Sequence, residues 1–212
     1  MGYTGINLGN VKMSNRSSIL KLLNDCGAMS RKDIAIELGL TPATVTLICT
    51  ELISAGILCE KGEVEEERRA GRRKVLIDIN YQYRYVLSVS IEAAKTCIAI
   101  SNLKGLCLGA KWMPTDGGQD PEKFLKTVAD EGKALMWEQG ITKDMVLGIG
   151  VSVPGPVSRR TGISQHAYRI WNKAVAVGDL IGKQMDLPVM GVYPLPIVVY
   201  AYYTSHYIVR SL

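Results

Sequence analysis

Apolar residues in the first sixty positions recur at helical spacing three times, and two of the three runs carry capping residues at their ends. Over Ser14–Asp25 (SNRSSILKLLND), Ile19, Leu22 and Leu23 mark the buried side of a helix. The stretch Ser30–Ile57 (SRKDIAIELGLTPATVTLICTELISAGI) predicts two more. Ser30 is an N-cap, and Asp33 sets a carboxylate in the first turn, where free N–H groups favour it. Ile34, Ala35 and Leu38 share one face, and Gly39 supplies a left-handed stop. Thr41 caps the next helix, with Pro42 at its first position, where the missing N–H does no harm. Val45, Ile48, Leu52 and Ile53 line that helix, and Gly56 closes it. Two short helices joined by a three- to four-residue, Gly-containing turn form a helix-turn-helix, whose second helix enters the DNA major groove.

An ordinary helical hairpin shares this pattern, so the flanks decide. Leu58–Lys61 is a short strand, and Lys74–Ile79 (KVLIDI) alternates like its partner. Between them EVEEERRAGRRK has no apolar period. Three helices and a hairpin with a long basic tip predict a winged helix-turn-helix over residues 1–80. At the tip Arg68, Arg69, Arg72 and Arg73, with Lys74, surround Ala70-Gly71, a composition suited to a narrow A·T-rich minor groove. A charge run alone is a solvated loop, and Glu63, Glu65, Glu66 and Glu67 shield part of this one. On the recognition helix, Thr41, Ala43, Thr44 and Thr46 are placed to meet base edges. No Lys or Arg stands between Thr41 and Ile57, so phosphate contacts fall to Arg16, Arg31, Lys32 and the wing arginines.

After Asn80 the pattern changes. Tyr85–Ile91 and Thr96–Ile100 read as strands, followed by a third at Leu106–Trp112. Asp120-Pro121 opens a helix to about Gln139, with Phe124, Leu125, Val128, Leu135 and Met136 on its apolar side. Met145–Val153 (MVLGIGVSV) is nearly continuous in apolar residues, as in a parallel strand buried on both faces, and ends at Pro154-Gly155-Pro156. Val177–Met185 reads as a helix, and a strand starts at Leu187–Met190. The class is α/β. Tyr81, Tyr83 and Tyr85 alternate as if covering one strand face, and Gly148 and Gly150 read as close packing.

Composition adds little. A net charge of +5 over 212 residues is mildly basic and predicts nothing about nucleic acid by itself. Five cysteines without a C-x-x-C pair read as thiols of a reducing cytosol, hence a cytoplasmic protein. Met1–Lys12 has no signal-peptide core. With only His166 and His206, no His-rich metal site is expected, and no cofactor either.

NRSSILKLLND at 15–25, the stretch 30–58, GRRKVLIDIN at 71–80 and GIGVSVPGPVSRRTG at 148–162 resemble the ROK family of repressors and sugar kinases. The likeness is to its sugar-responsive repressors, which carry a winged helix before a ribonuclease H-like, sugar-kinase-type body. It covers about residues 11–190, and its most specific part is 148–162 followed by Trp171. The resemblance implies a sugar effector in full-length relatives. The winged helix itself predicts operator DNA as partner, and a sheet face left uncovered predicts a homo-oligomer. Pro194 and Pro196 interrupt a tail run near the lower limit for spanning, so no membrane is expected. His166 lies near the family's sugar-contacting region.

The departures define the rest. Where kinase members hold ATP phosphates on an Asp-x-Gly-Gly-Thr loop, this chain has Ser90-Ile91-Glu92-Ala93-Ala94-Lys95, without glycine and with an opposing carboxylate. The family's Glu-Asn-Asp and Glu-x-Gly-His motifs and its Cys-rich zinc site are missing from these residues. Residues 191–212 are instead hydrophobic and rich in tyrosine, as in a frame-shifted or truncated product, with a divergent terminus as the alternative. Residues 81–190 are then a partial ribonuclease H-like lobe. Three function classes follow: a carbohydrate-gene repressor with an incomplete sugar-sensing half, a non-sensing interaction remnant, and a sugar kinase. The first is favoured, and no enzyme activity is expected.

Overall fold

The computed structural model describes residues 8–64, 74–158 and 160–193. The wing arginines Arg68, Arg69, Arg72 and Arg73 and most of the tyrosine-rich tail lie outside the described residues. The chain divides into two compact units, with the boundary along the sequence after Tyr83.

In the first unit, α1 (Leu8–Cys26) leads into β1 (Met29–Ser30), α2 (Arg31–Leu38) and α3 (Pro42–Ser54). β2 (Leu58–Val64) and β3 (Lys74–Ile79) follow, and the three strands order as β1-β3-β2. The caps are those the residues predict. Ser30 Oγ accepts from Asp33 N at 3.2 Å, and Thr41 Oγ1 accepts from Thr44 N at 3.2 Å. Gly39 is left-handed at φ 63°, and Leu40 N donates to the Ala35 carbonyl at 3.0 Å. Helix α1 starts six residues before Ser14, and its buried face centres on Ile19, Leu20 and Leu23. Leu22 is only half-buried because Leu20, three residues before Leu23, takes the inward position. These residues pack with Ile34, Val45, Ile48, Leu52, Ile77 and Ile79 into a buried core. Helix α3 ends at Ser54, with Ala55 as its cap and the positive-φ Gly56 one residue beyond.

The second unit is a mixed sheet of order β10-β7-β4-β5-β6. β4 (Tyr85–Ile91), β5 (Lys95–Asn102) and β6 (Cys107–Pro114) form an antiparallel meander. α4 (Pro121–Glu138) carries the chain back to β7 (Val146–Ser152), which runs parallel to β4. A small hairpin of β8 (Val157–Ser158) and β9 (Ile163–Ser164) precedes α5 (Val177–Met185) and β10 (Val189–Tyr193), which is parallel to β7. Strand β10 begins two residues later than Leu187 because Leu187 N still donates to the Gly182 carbonyl of α5 at 3.2 Å, and Pro188 has no N–H for a ladder. As its apolar run implies, β7 is buried almost throughout.

Helix α4 packs through Phe124, Leu125, Val128 and Leu135 into the core that includes Leu87, Val89, Ile98, Ile100, Ile149 and Val151. Gly132 lets it come close, since a Cβ there would lie 3.1 Å from Met185 Cε and 3.3 Å from Leu87 Cδ2. By strand alternation the other face carries Val86, Ser88, Ser90, Cys97 and Ser152, all buried. The tyrosine alternation is not a strand face: Tyr81 and Tyr83 sit in the turn after β3, whereas Tyr85 opens β4.

Candidate nucleic-acid interface

Helix α3 divides into two faces. Val45, Ile48, Cys49 and Leu52 are buried in the first unit. Burial also pushes the Cys49 thiol above its ordinary pKa, with Arg31 opposing the shift, so this cysteine packs as a neutral group. The outward face presents Ala43, Thr46, Leu47 and Thr50, all exposed.

The expected contact residues are not equally free. The Thr41 and Thr44 hydroxyls lie 2.9 Å apart, and Thr41 also holds the Thr44 amide, so both serve the helix terminus. Ala43 and Thr46 project outward beside Leu47 and Thr50, two positions the sequence reading left out. The signal was available: 43, 46, 47 and 50 are an i, i+3, i+4, i+7 stripe, the complement of the buried one. Lys32 is exposed on the first turn of α2. Arg31 pairs with Glu60 of β2 at 3.1 Å, and Arg16 is half-buried on α1. The Nε atoms of both arginines are buried and have no hydrogen-bond partner. Exposed pairs of the Arg31–Glu60 kind contribute only about 0.2–1 kcal/mol, so a phosphate can displace the carboxylate. Glu51, the one acidic side chain on α3, is held by Lys12 of α1 at 2.7 Å.

In the second unit, His166 packs edge-on against Tyr168, with ring centroids 4.9 Å apart. Both line an open cleft of about 720 Å³ with Gly117, Gln119, Trp171 and Lys173. The β4–β5 hairpin closes through Glu92 N donating to the Lys95 carbonyl at 3.1 Å, with Ile91 paired to Thr96. Among the described residues no group of His, Cys, Asp and Glu is placed to hold a metal. No described helix is long and apolar enough to cross a membrane.

Three helices, the third capped by Thr41, and a β2–β3 hairpin make a winged helix-turn-helix, and residues 14–58 match the family model for winged helix-turn-helix DNA-binding. Over 179 residues the chain is 27% identical to the xylose repressor of Caldicellulosiruptor bescii, covering 84% of this chain and 44% of that protein. It is 26% identical over 181 residues to the DNA-binding transcriptional repressor Mlc of Escherichia coli (strain K12), again covering 84% and 44%. Among solved structures it matches a ROK family transcriptional regulator, a homologue of E. coli MLC, at 28% identity and a TM-score of 0.64. That match covers 86% of this chain and 45% of the solved one. In sequence and fold the chain is similar to the ROK family of transcriptional regulators. It spans less than half the length of these relatives.

Proposed function

We propose that this chain is a sequence-specific DNA-binding repressor of carbohydrate-metabolism genes, acting on double-stranded operator DNA in the cytoplasm. The observation that carries this reading is α3, whose capped N-terminus and exposed uncharged face stand beside a wing, in a chain similar to proteins named as repressors. Ala43 and Thr46 face the bases, with Thr41 and Thr44 fixing the helix end that enters the groove. Arg16, Arg31, Lys32 and the wing residues Arg68, Arg69, Arg72 and Arg73 neutralise phosphates. The whole protein acts as a homo-oligomer whose α/β unit belongs to the sugar-effector side, incomplete in these residues.

Phosphoryl transfer is not part of this function. Such catalysis rests on positioning and neutralising phosphate charge. The β4–β5 turn instead spends the Glu92 amide on Lys95 and carries a carboxylate of its own. The test of the regulator reading is a mobility-shift titration at several salt concentrations. Each phosphate contact contributes a slope of about −0.9 in log affinity against log salt, so Arg72→Ala with Arg73→Ala should flatten the slope by about two. An unchanged slope would overturn the wing assignment, and no binding of any duplex at low salt would overturn the regulator reading.

A further inference from the structure

The outward face of α3 carries the chemistry of a methyl reader. Ala43, Thr46, Leu47 and Thr50 form one exposed stripe, and Leu47 is 58% exposed although its neighbours Val45 and Ile48 are fully packed. The side chains that usually read bases in pairs of hydrogen bonds are absent from this stripe. It holds no Arg or Lys for guanine, no Asn or Gln for adenine and no carboxylate for cytosine. Glu51, on the same helix, pairs with Lys12, and the Thr41 and Thr44 hydroxyls bond to each other at the helix terminus. What remains is an alanine methyl, a leucine isobutyl group and two threonines, each with one methyl and one hydroxyl. In the major groove the only apolar feature that distinguishes one base pair from another is the thymine C5-methyl.

We infer that α3 specifies its operator by apolar contact with thymine methyl groups, with Leu47 as the principal specificity-determining residue and Ala43, Thr46 and Thr50 beside it. This rests on the reading of α3 as the helix that enters the groove. From 43 to 50 the helix rises about 10 Å at 1.5 Å per residue. That length faces about three base-pair steps of 3.4 Å, so each half-site contains a thymine-rich run of about that length. Burial of Leu47 on binding removes apolar surface from water, and each methyl contact is a CH₂-sized gain. With no charge on the stripe, this term does not vary with salt, unlike the phosphate contacts.

The experiment uses the full chain and a duplex selected from a randomised library, then prepared again with deoxyuridine in place of individual thymidines. Deoxyuridine pairs identically and lacks only the C5-methyl. Selected sites should share a thymine-rich run, and each contacted methyl removed should weaken binding about fourfold, the factor that burying one CH₂ group carries. Leu47→Ala should weaken binding to the thymine site and make the variant insensitive to deoxyuridine beneath residue 47. Since Leu47 is exposed, the variant should keep its helical circular dichroism, and the deoxyuridine comparison needs no variant at all. Binding without any preferred sequence, or binding to the selected site unchanged by deoxyuridine, would overturn methyl readout while leaving the regulator reading intact. Failure to retain any duplex at low salt would instead overturn the regulator reading beneath it.

Discussion

Two buried serines show how a partner decides the worth of a hydroxyl. Ser30 accepts from the Asp33 amide and donates to Asp33 Oδ2 at 2.7 Å, closing a reciprocal cap on α2. Ser88 is 2% exposed in the centre of β4, and its hydroxyl has no hydrogen-bond partner. Removing a partnered N-cap costs about 1 kcal/mol, up to about 2. Removing an unpartnered buried hydroxyl relieves desolvation instead. Ser30→Ala should therefore destabilise the first unit by about 1–2 kcal/mol in urea denaturation. Ser88→Ala should leave the second unit unchanged or up to about 1 kcal/mol more stable. A loss above about 1 kcal/mol for Ser88→Ala would show that this hydroxyl has a partner in solution.

Elements in this chain were legible where local chemistry sets them. Strands β3 and β4 and helix α5 run over the residues that their patterns predict, because alternation or a 3.6-residue period persists to a clear break. Helix α4 begins after its Asp120 cap with Pro121 at the first position, as read from sequence. The two-residue strand β1 and the β8–β9 hairpin were not legible, since two residues hold no period and owe their state to a partner across the chain. The start of β10 was misplaced for a similar reason. Gly148 in β7 shows what packing asks at that spot: a Cβ would lie 2.7 Å from both the Pro188 carbonyl and Met190 Cγ. Because one of those atoms is backbone, relief requires β10 to move. Gly148→Ala should cost about 1–3 kcal/mol in the stability of the second unit, read from its denaturation midpoint. A change below about 0.5 kcal/mol would mean that the β7–β10 pairing yields without penalty.

At the scale of the whole molecule, a small winged-helix unit is followed along the chain by an α/β unit with an open cleft. The residues that the family resemblance assigns to sugar binding, the Glu-Asn-Asp and Glu-x-Gly-His motifs, do not occur in these 212 positions. The cleft beside His166 carries Gln119, Gln165, Arg169, Asn172 and Lys173 among its hydrogen-bonding groups, but no carboxylate among its lining residues to orient sugar hydroxyls. A ligand alters DNA affinity only as far as it binds two states of the protein differently. Operator affinity of this chain should therefore stay constant when millimolar xylose or glucose is added to the mobility-shift titration. A reproducible shift with either sugar would show that the α/β unit senses it without those motifs.

The residues themselves determined the winged-helix unit. Caps, a left-handed glycine and two periods are local signals, each satisfied within one or two turns of chain, so they survive without knowledge of the fold. They placed Ser30, Gly39, Thr41 and Pro42 correctly and put α3 where a recognition helix belongs. Tertiary structure alone decided which side chains on α3 remain available. The Thr41 and Thr44 hydroxyls are paired, Arg31 is drawn to Glu60, and Leu47 is left in solvent. Each of these outcomes depends on atoms brought together by folding. The Arg31–Glu60 pair spans 29 residues, and the exposure of Leu47 depends on which face of α3 the core takes. A periodic pattern says that a helix has an inside; only the packed neighbours say what its outside is free to touch.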